Sequence, residues 1–280
     1  MRTAPKMPLD FHHRSPSPAL ARYVDTMWLS QGTPPNHKKE RVLPNGAAAL
    51  IFNLAEDRIY SYDRQRPEIS THQNGALIAG PRSQYEVIDT ECQRLLAGVV
   101  LRPAGAALLL GVPAYELTDV DVPLDALWGR PANRIRERLM QARTPAATLE
   151  TLERCLLEHL PDSEPPLVVS YALALLNRPA AAPPLAEVAR VSGFSQRRFI
   201  ELFRYHTGIG PKTYHRIQRF QDALRRAHGG RLVSWTDLAL SCGYYDQAHF
   251  VHDFRAFSGI TPTEYSANRC VYASHVALPG

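Results

Sequence analysis

The chain has 280 residues, with 32 Lys and Arg against 27 Asp and Glu, for a formal net charge of +5. That length allows two domains, and no stretch approaches the roughly 18–20 consecutive apolar residues of a membrane span. The first residues, MRTAPKMPLDFHHRSPSP, lack an apolar core segment, so no secretory signal is expected. Cys92, Cys155, Cys242 and Cys270 are scattered, with no CxxC pair and no Cys/His metal spacing. Reduced thiols, no metal and no cofactor are the expectation.

The charge is unevenly placed. Residues 166–280 carry 13 Lys and Arg against 7 Asp and Glu, whereas residues 1–165 carry 19 against 20. The positive excess therefore lies wholly in the second half. Cationic side chains that neutralise phosphates supply the sequence-independent part of DNA binding.

In chain order, residues 1–18 are rich in Pro, Ser and His and read as a disordered tail, with His12 and His13 on the surface. Residues 19–160 read as a β-rich domain ending in helices. Tyr23–Leu29, Ala47–Leu54, Ile59–Tyr62, Gly75–Ala79, Tyr85–Ile88 and Leu95–Leu101 are short apolar or alternating runs. Punctuated by Gly and Pro, they predict a small barrel or sandwich. Asn45-Gly46 is a hairpin cue. Pro103 suits the first turn of a helix over Ala104–Leu110. Residues 122–129, 131–143 and 145–160 also read as helical. Leu149, Leu152, Leu156 and Leu160 make an apolar face there that serves either a core or a dimer seam. Residues 161–166, PDSEPP, are a linker, and residues 269–280 read as a tail.

Residues 167–268 contain a repeat. Phe199, Phe203, Arg204, Thr207, Gly208, Ile209, Pro211 and Tyr214 recur 51 positions later as Phe250, Phe254, Arg255, Ser258, Gly259, Ile260, Pro262 and Tyr265. Upstream, Val188, Ala189, Gly193 and Phe194 recur at a shift of 50 as Leu238, Ala239, Gly243 and Tyr244. Each copy is a short apolar helix, a Gly turn and a second helix opened by Ser195 or Asp246, both N-capping residue types. This is the grammar of a helix-turn-helix, whose second helix can enter a DNA major groove. The second helices span 195–206 and 246–257. Phe199, Phe203, Phe250 and Phe254 fall at core spacing. A helix over Pro211–His228, ended by Gly229-Gly230, joins the copies and carries Lys212, Arg216, Arg219, Arg225 and Arg226. At about 25 Å, it would hold two reading helices for adjacent major grooves.

The run Ala239-x-x-Cys242-Gly243-Tyr244-x-Asp246-Gln247-x-His249-Phe250-x-x-x-Phe254-Arg255, followed by Gly259-Ile260-Thr261-Pro262-x-x-Tyr265, resembles the signature of the AraC/XylS family of bacterial transcription regulators. Ala248 departs from it, since Ser is common there. The first copy fits through Gly193-Phe194-Ser195, Phe199-x-x-x-Phe203-Arg204 and Gly208-Ile209-x-Pro211. More weakly, Leu43-Pro44-Asn45-Gly46, Gly80-Pro81, Leu101–Ala106 and Leu124-x-x-Leu127-Trp128-Gly129 are similar to a β-rich domain found in some of these regulators.

The resemblance implies an α+β chain. A cupin-like or barrel N-terminal domain would sense a small-molecule effector or make a homodimer. An all-α C-terminal domain would hold two helix-turn-helix units on a long helix. The implied function is a cytoplasmic, sequence-specific transcription regulator, in the first instance an activator, with double-stranded DNA and RNA polymerase as partners and no membrane. The resemblance places Gln196, Arg197, Ile200, Glu201, Gln247, Ala248, Val251 and His252 toward base edges. The chemistry agrees for several: Arg197 with guanine, Gln196 or Gln247 with adenine, and Ile200, Ala248 or Val251 with thymine methyl groups. Glu201 either accepts from cytosine or steers Arg197 or Arg198 by an ion pair. His252 reads a base or touches phosphate. Arg198, Arg204, Lys212 and Arg255 are assigned to phosphate. Arg82 and Arg102 are candidates for an anionic-ligand pocket, or else ordinary surface or ion-paired arginines. The alternative function is a metal-binding or enzymatic cupin-like protein with an accessory DNA anchor. Against it, the chain carries no GxSxG, phosphate-loop or dinucleotide fingerprint, so no catalytic residue is assigned.

Overall fold

The structure is a computed structural model that describes residues 9–178, 182–229 and 234–278. Gly230 and Pro179–Ala181, part of the expected breaks on either side of the helix-turn-helix units, lie outside those residues.

Among the described residues, the first half supplies ten strands: β1 (Asp10–Arg14), β2 (Val24–Gln31), β3 (Lys39–Val42), β4 (Ala49–Asn53), β5 (Arg58–Tyr62), β6 (Ser70–Asn74), β7 (Ala76–Ala79), β8 (Glu86–Asp89), β9 (Leu95–Leu101) and β10 (Asp121–Pro123). Its helices are α1 (Pro103–Leu110), a 3-10 turn (Ala114–Leu117), α2 (Leu124–Trp128), α3 (Arg130–Gln141) and α4 (Pro145–Leu157). The second half holds α5 (Leu167–Leu176), α6 (Leu185–Val191), α7 (Gln196–Thr207), α8 (Pro211–Gly229), α9 (Trp235–Ser241), α10 (Gln247–Ser258), α11 (Pro262–Asn268) and β11 (His275–Leu278). The expected α+β plan holds. Among the described residues, no helix is long and apolar enough to cross a membrane.

The strands form two antiparallel sheets, ordered β1-β2-β9-β4-β7-β10 and β11-β3-β8-β5-β6. A first core joins Met27, Leu29, Leu50, Phe52, Ile78 and Val99 of the first sheet to Ile135, Leu139, Leu149, Leu152 and Leu156 of α3 and α4. The leucine face of α4 is therefore core, with Leu160 packed at its edge.

Two expected tails are ordered where they are described. Residues 10–14 are a strand paired with β2, Leu20 is fully buried, and Arg14 and the Ser17 backbone bond the buried Glu153 carboxylate. Residues 275–278 pair with β3, so the chain returns from its helical half to the N-terminal sheet. Long-range pairing, which no local pattern records, holds both segments. The Asn45-Gly46 turn is present but joins no hairpin, because β3 and β4 belong to different sheets. It docks α8 instead: the Pro44 and Asn45 carbonyls accept from Gln221 and Gln218, and Gly46, at φ +80°, lies against the Tyr214 ring.

The second core is built on the repeat. Phe199, Phe203, Tyr214, Phe220, Phe250, Phe254 and Tyr265 are all at most 3% exposed. Full burial of each such side chain contributes about 1.5–3 kcal/mol. The same core includes Leu43, Ala104 and Val276, so the two halves share it. Both second helices end in a left-handed glycine, and both glycines press on the N-terminal half. A Cβ on Gly208 (φ +79°) would sit 2.7 Å from Pro81 and 2.8 Å from the Ala114 carbonyl, and one on Gly259 (φ +70°) 2.5 Å from the Tyr85 ring.

Gly208→Ala should therefore cost more than the about 1–2 kcal/mol of left-handed backbone strain. Gly193→Ala shares the strain (φ +74°) but meets nothing within 4 Å, so it should show the strain alone. Urea unfolding of both variants measures the difference, and equal losses would show that the Gly208 contact contributes nothing.

Candidate nucleic-acid interface

The two second helices, α7 and α10, are fixed at both ends by the same devices. The Ser195 hydroxyl accepts from the Arg198 amide, and the Asp246 carboxylate accepts from the His249 amide at 2.7 Å, each satisfying an orphan donor of the first turn. At the other end, the Thr207 hydroxyl lies 2.9 Å from the Phe203 carbonyl and 2.8 Å from that of Ile209. Ser258, its counterpart 51 residues on, lies 2.6 Å from the Phe254 carbonyl and 3.0 Å from that of Ile260. The repeat read in the sequence is thus a repeat of hydrogen bonds. A capping box at Thr261 and Glu264 opens α11 immediately after α10.

With the phenylalanines turned inward, α7 exposes Gln196, Arg197 and Glu201, with Ile200 half-buried. Helix α10 exposes Gln247, Ala248 and His252, with Val251 half-buried. Six of the eight residues assigned to base edges are thus exposed on these helices, whereas Ile200 and Val251 pack partly against the second core. Their side chains are already partly engaged. Arg197 Nε donates to Glu201 at 3.0 Å, and Arg198 lies 3.7 Å from the same carboxylate. Glu201 thus makes the ion pair with Arg197 and Arg198 that was one of its two expected roles. The Arg197 hydrogen bond holds the Glu201 carboxyl below the usual carboxylate range. Gln247 accepts a hydrogen bond from Thr236 of α9 at 2.9 Å.

The residue that fixes α10 was not singled out in the sequence. Asp253 is 1% exposed and lies on the inner face of α10 among Phe250, Phe254 and Phe257. Its carboxylate receives Arg216 Nη2 at 2.6 Å and has Arg219 Nη2 at 3.6 Å, both from α8, with His249 and His252 at 3.8 and 3.6 Å. The Asp253 hydrogen bond raises the Arg216 pKa further. Arg216 also lies over the Phe257 ring, and Arg219 over Tyr244, while Arg219 donates to the Gly243 carbonyl in the turn. Arg225 and Arg226 pair with Asp222, and Arg226 also donates to Ser241. Arg216, Arg219 and Arg226 therefore hold the second helix-turn-helix against the rod, while Arg225 pairs within α8. A charged residue on an otherwise aromatic face was the available signal for Asp253.

Of the four residues assigned to phosphate, Arg204, Lys212 and Arg255 are exposed and make no salt bridge among the described residues. Arg198 is exposed but shares Glu201. The pocket arginines are otherwise placed. Arg82 gives its guanidinium to Glu86, at 2.7 Å, and to Asp121, in a cleft that also holds Asp119. Those carboxylates satisfy it and repel an anion, which corrects its assignment to an anionic pocket. Arg102 is half-exposed, pairs with Asp25 at 3.4 Å and lines a cleft of about 820 Å³ between the two halves.

The N-terminal half touches both helix-turn-helix units. Thr118 donates to the Gly208 carbonyl at 2.8 Å, and Tyr115 meets Tyr205 edge-on. His206 of α7 is buried near the Ala104 backbone, and burial lowers its pKa. On the other side, the Tyr85 amide donates to the Phe257 carbonyl at 2.9 Å. Sequence patterning missed these contacts, because each joins positions far apart in the chain.

Residues 171–268 match the family described as a helix-turn-helix domain, and residues 12–123 match a domain of unknown function (DUF6597). The C-terminal part of the chain therefore carries a helix-turn-helix domain. A curated relative, an uncharacterised HTH-type transcriptional regulator of Haemophilus influenzae, is 27% identical over 96 residues, which cover 33% of this chain and 31% of the relative. Among solved structures, an AraC-type DNA-binding domain-containing transcriptional regulator from Chromobacterium violaceum is 25% identical, covering 36% of this chain and 89% of that one, with a TM-score of 0.33. ToxT from Vibrio cholerae O395 is 10% identical, covering 93% of this chain and 96% of that one, with a TM-score of 0.43.

Asp253→Ala should leave the partly buried Arg216 and Arg219 without their shared carboxylate and destabilise the chain by about 1.5–3 kcal/mol. Chemical denaturation measures this, and a loss under about 1 kcal/mol would contradict the role given to the carboxylate.

Proposed function

We propose that this chain is a sequence-specific DNA-binding transcription regulator whose α7 and α10 enter adjacent major grooves. The observation that carries the reading is the pair of identically capped helices on one rod, each with its polar face outward. Helix α8 has 19 residues and so spans about 28 Å. One turn of B-DNA is about 34 Å, a span that a modest bend of the DNA would close.

On this reading Gln196, Arg197, Ile200 and Glu201 face one half-site, and Gln247, Ala248, Val251 and His252 face another. Arg197 must leave Glu201 to reach guanine. That exposed i,i+4 pair is weak and screened by solvent, whereas a bidentate arginine–guanine contact discriminates by about 1–3 kcal/mol, so the exchange favours DNA. Arg204, Lys212 and Arg255 contact phosphate and set register. The two faces differ, so one chain reads an asymmetric site.

The N-terminal domain is the regulatory part. It braces both units through Thr118 and Tyr85, so an effector in the cleft beside Arg102, or a second copy of the chain, would act by changing that bracing. Activation through RNA polymerase and a cytoplasmic location follow from the family resemblance.

Arg197→Ala should weaken binding to the selected site by about 1–3 kcal/mol and relax preference at one base pair. Arg255→Ala should weaken binding evenly across sequences and reduce the salt slope by about one ion. Titrations over a salt series distinguish the two. An even loss from Arg197→Ala would move it to the phosphate set, and an unchanged slope in Arg255→Ala would remove it from that set.

A further inference from the structure

After α11 the chain leaves the DNA-binding domain and crosses to the N-terminal sheet, where β11 pairs with β3. The crossing brings together side chains that are more than 200 positions apart. His37 Nε2 lies 2.5 Å from Glu40 Oε1, Cys270 Sγ lies 3.6 Å from the same oxygen, and His275 Nδ1 lies 2.8 Å from Oε2. One donor atom from each of His37, Glu40 and Cys270 falls within 4.8 Å of the other two.

Glu40 is only 6% exposed, and its salt-bridge partners among the described residues are the two histidines, with no Lys or Arg. A buried carboxylate requires a compensating positive charge. A bound cation supplies one directly. Asp253, with its two arginines, meets the same need by other means.

We propose that His37, Glu40 and Cys270 bind a divalent transition-metal ion of the Zn²⁺ class, with His275 holding the second carboxylate oxygen in place. The donor set decides the class. One imidazole nitrogen, one carboxylate oxygen and one thiolate suit Zn²⁺, while Mg²⁺ and Ca²⁺ prefer oxygen alone. Ligand atoms around a tetrahedral Zn²⁺ lie about 3.3–3.7 Å apart, so Sγ and Oε1 are already at that spacing and His37 must open slightly. On binding, the Cys270 S–H bond breaks, its proton passes to solvent and an S–metal bond forms. An adjoining cleft of about 760 Å³, lined in part by Phe11, Tyr272 and His275, gives the ion a path in. The ion would staple the segment after the second reading head to the N-terminal sheet. The local spacing of the sequence shows no metal motif because the ligands come from both ends of the chain.

The test uses untagged, chelator-stripped full-length protein. Titrated with Co²⁺ as a spectroscopic probe, the wild type should give a thiolate-to-metal charge-transfer band that saturates at one equivalent and is displaced by Zn²⁺. Zn²⁺ should raise the thermal midpoint, and Mg²⁺ should not. Cys270→Ser should abolish the band, His37→Ala should weaken Zn²⁺ binding at least tenfold, and His275→Ala should weaken it about 10- to 100-fold, as expected for an outer partner of a ligand. The double variant His12→Ala/His13→Ala should leave binding unchanged. Absence of a thiolate band in the wild type, a measurement that needs no variant, would overturn the proposal. So would equal Zn²⁺ affinity in wild type, Cys270→Ser and His37→Ala.

Discussion

The second helix-turn-helix unit depends on one buried charge. Asp253 brings a carboxylate into an aromatic core, and Arg216 and Arg219 come from the connecting rod to meet it. Desolvating the three groups is expensive and contributes little net stability by itself. Its effect is positional. Because the carboxylate has no other cationic partner of that strength among the described residues, α10 keeps a single rotation and height on α8, and its outer face points in one direction.

The first head is held differently. The position equivalent to Asp253, 51 residues earlier, is Leu202, which is half-buried against the core. In place of an ion pair, α7 leans on α1 and the 3-10 turn, through Thr118, Tyr115 and the tight packing around Gly208. The heads share caps, left-handed glycines and hydroxyl bridges, yet one is anchored mainly to the rod and the other to the N-terminal domain. A change in the N-terminal domain would thus reach the first head directly, and the second mainly through Tyr85 and the β11 segment.

Much of this was legible in the sequence, and the misses share a physical cause. The six strands rich in apolar residues, the helix caps and the repeat all announce themselves within a few neighbouring residues. The strands β1 (DFHHR), β3 (KERV) and β6 (STHQN) do not, because they are polar and gain their stability from partners far away. The Asn45-Gly46 turn was read correctly as a turn and wrongly as a hairpin, since the pattern cannot say which sheet the next strand joins. The charge count pointed to an anionic partner, but overstated the free cations: Arg216, Arg219, Arg225 and Arg226 are bonded internally. The outer faces of α7 and α10 could be read because helical periodicity alone settles which residues a buried aromatic stripe leaves outside.

The central claim is that one chain carries two reading heads of different specificity, and that Asp253 orients the second. Hydroxyl-radical footprinting on a DNA selected from a random pool tests it most directly. The wild type should protect two unlike half-sites about one helical turn apart, and Asp253→Asn should lose the half-site of α10 while keeping that of α7. A single protected patch, two identical half-sites, or equal loss of both in the variant would contradict the account.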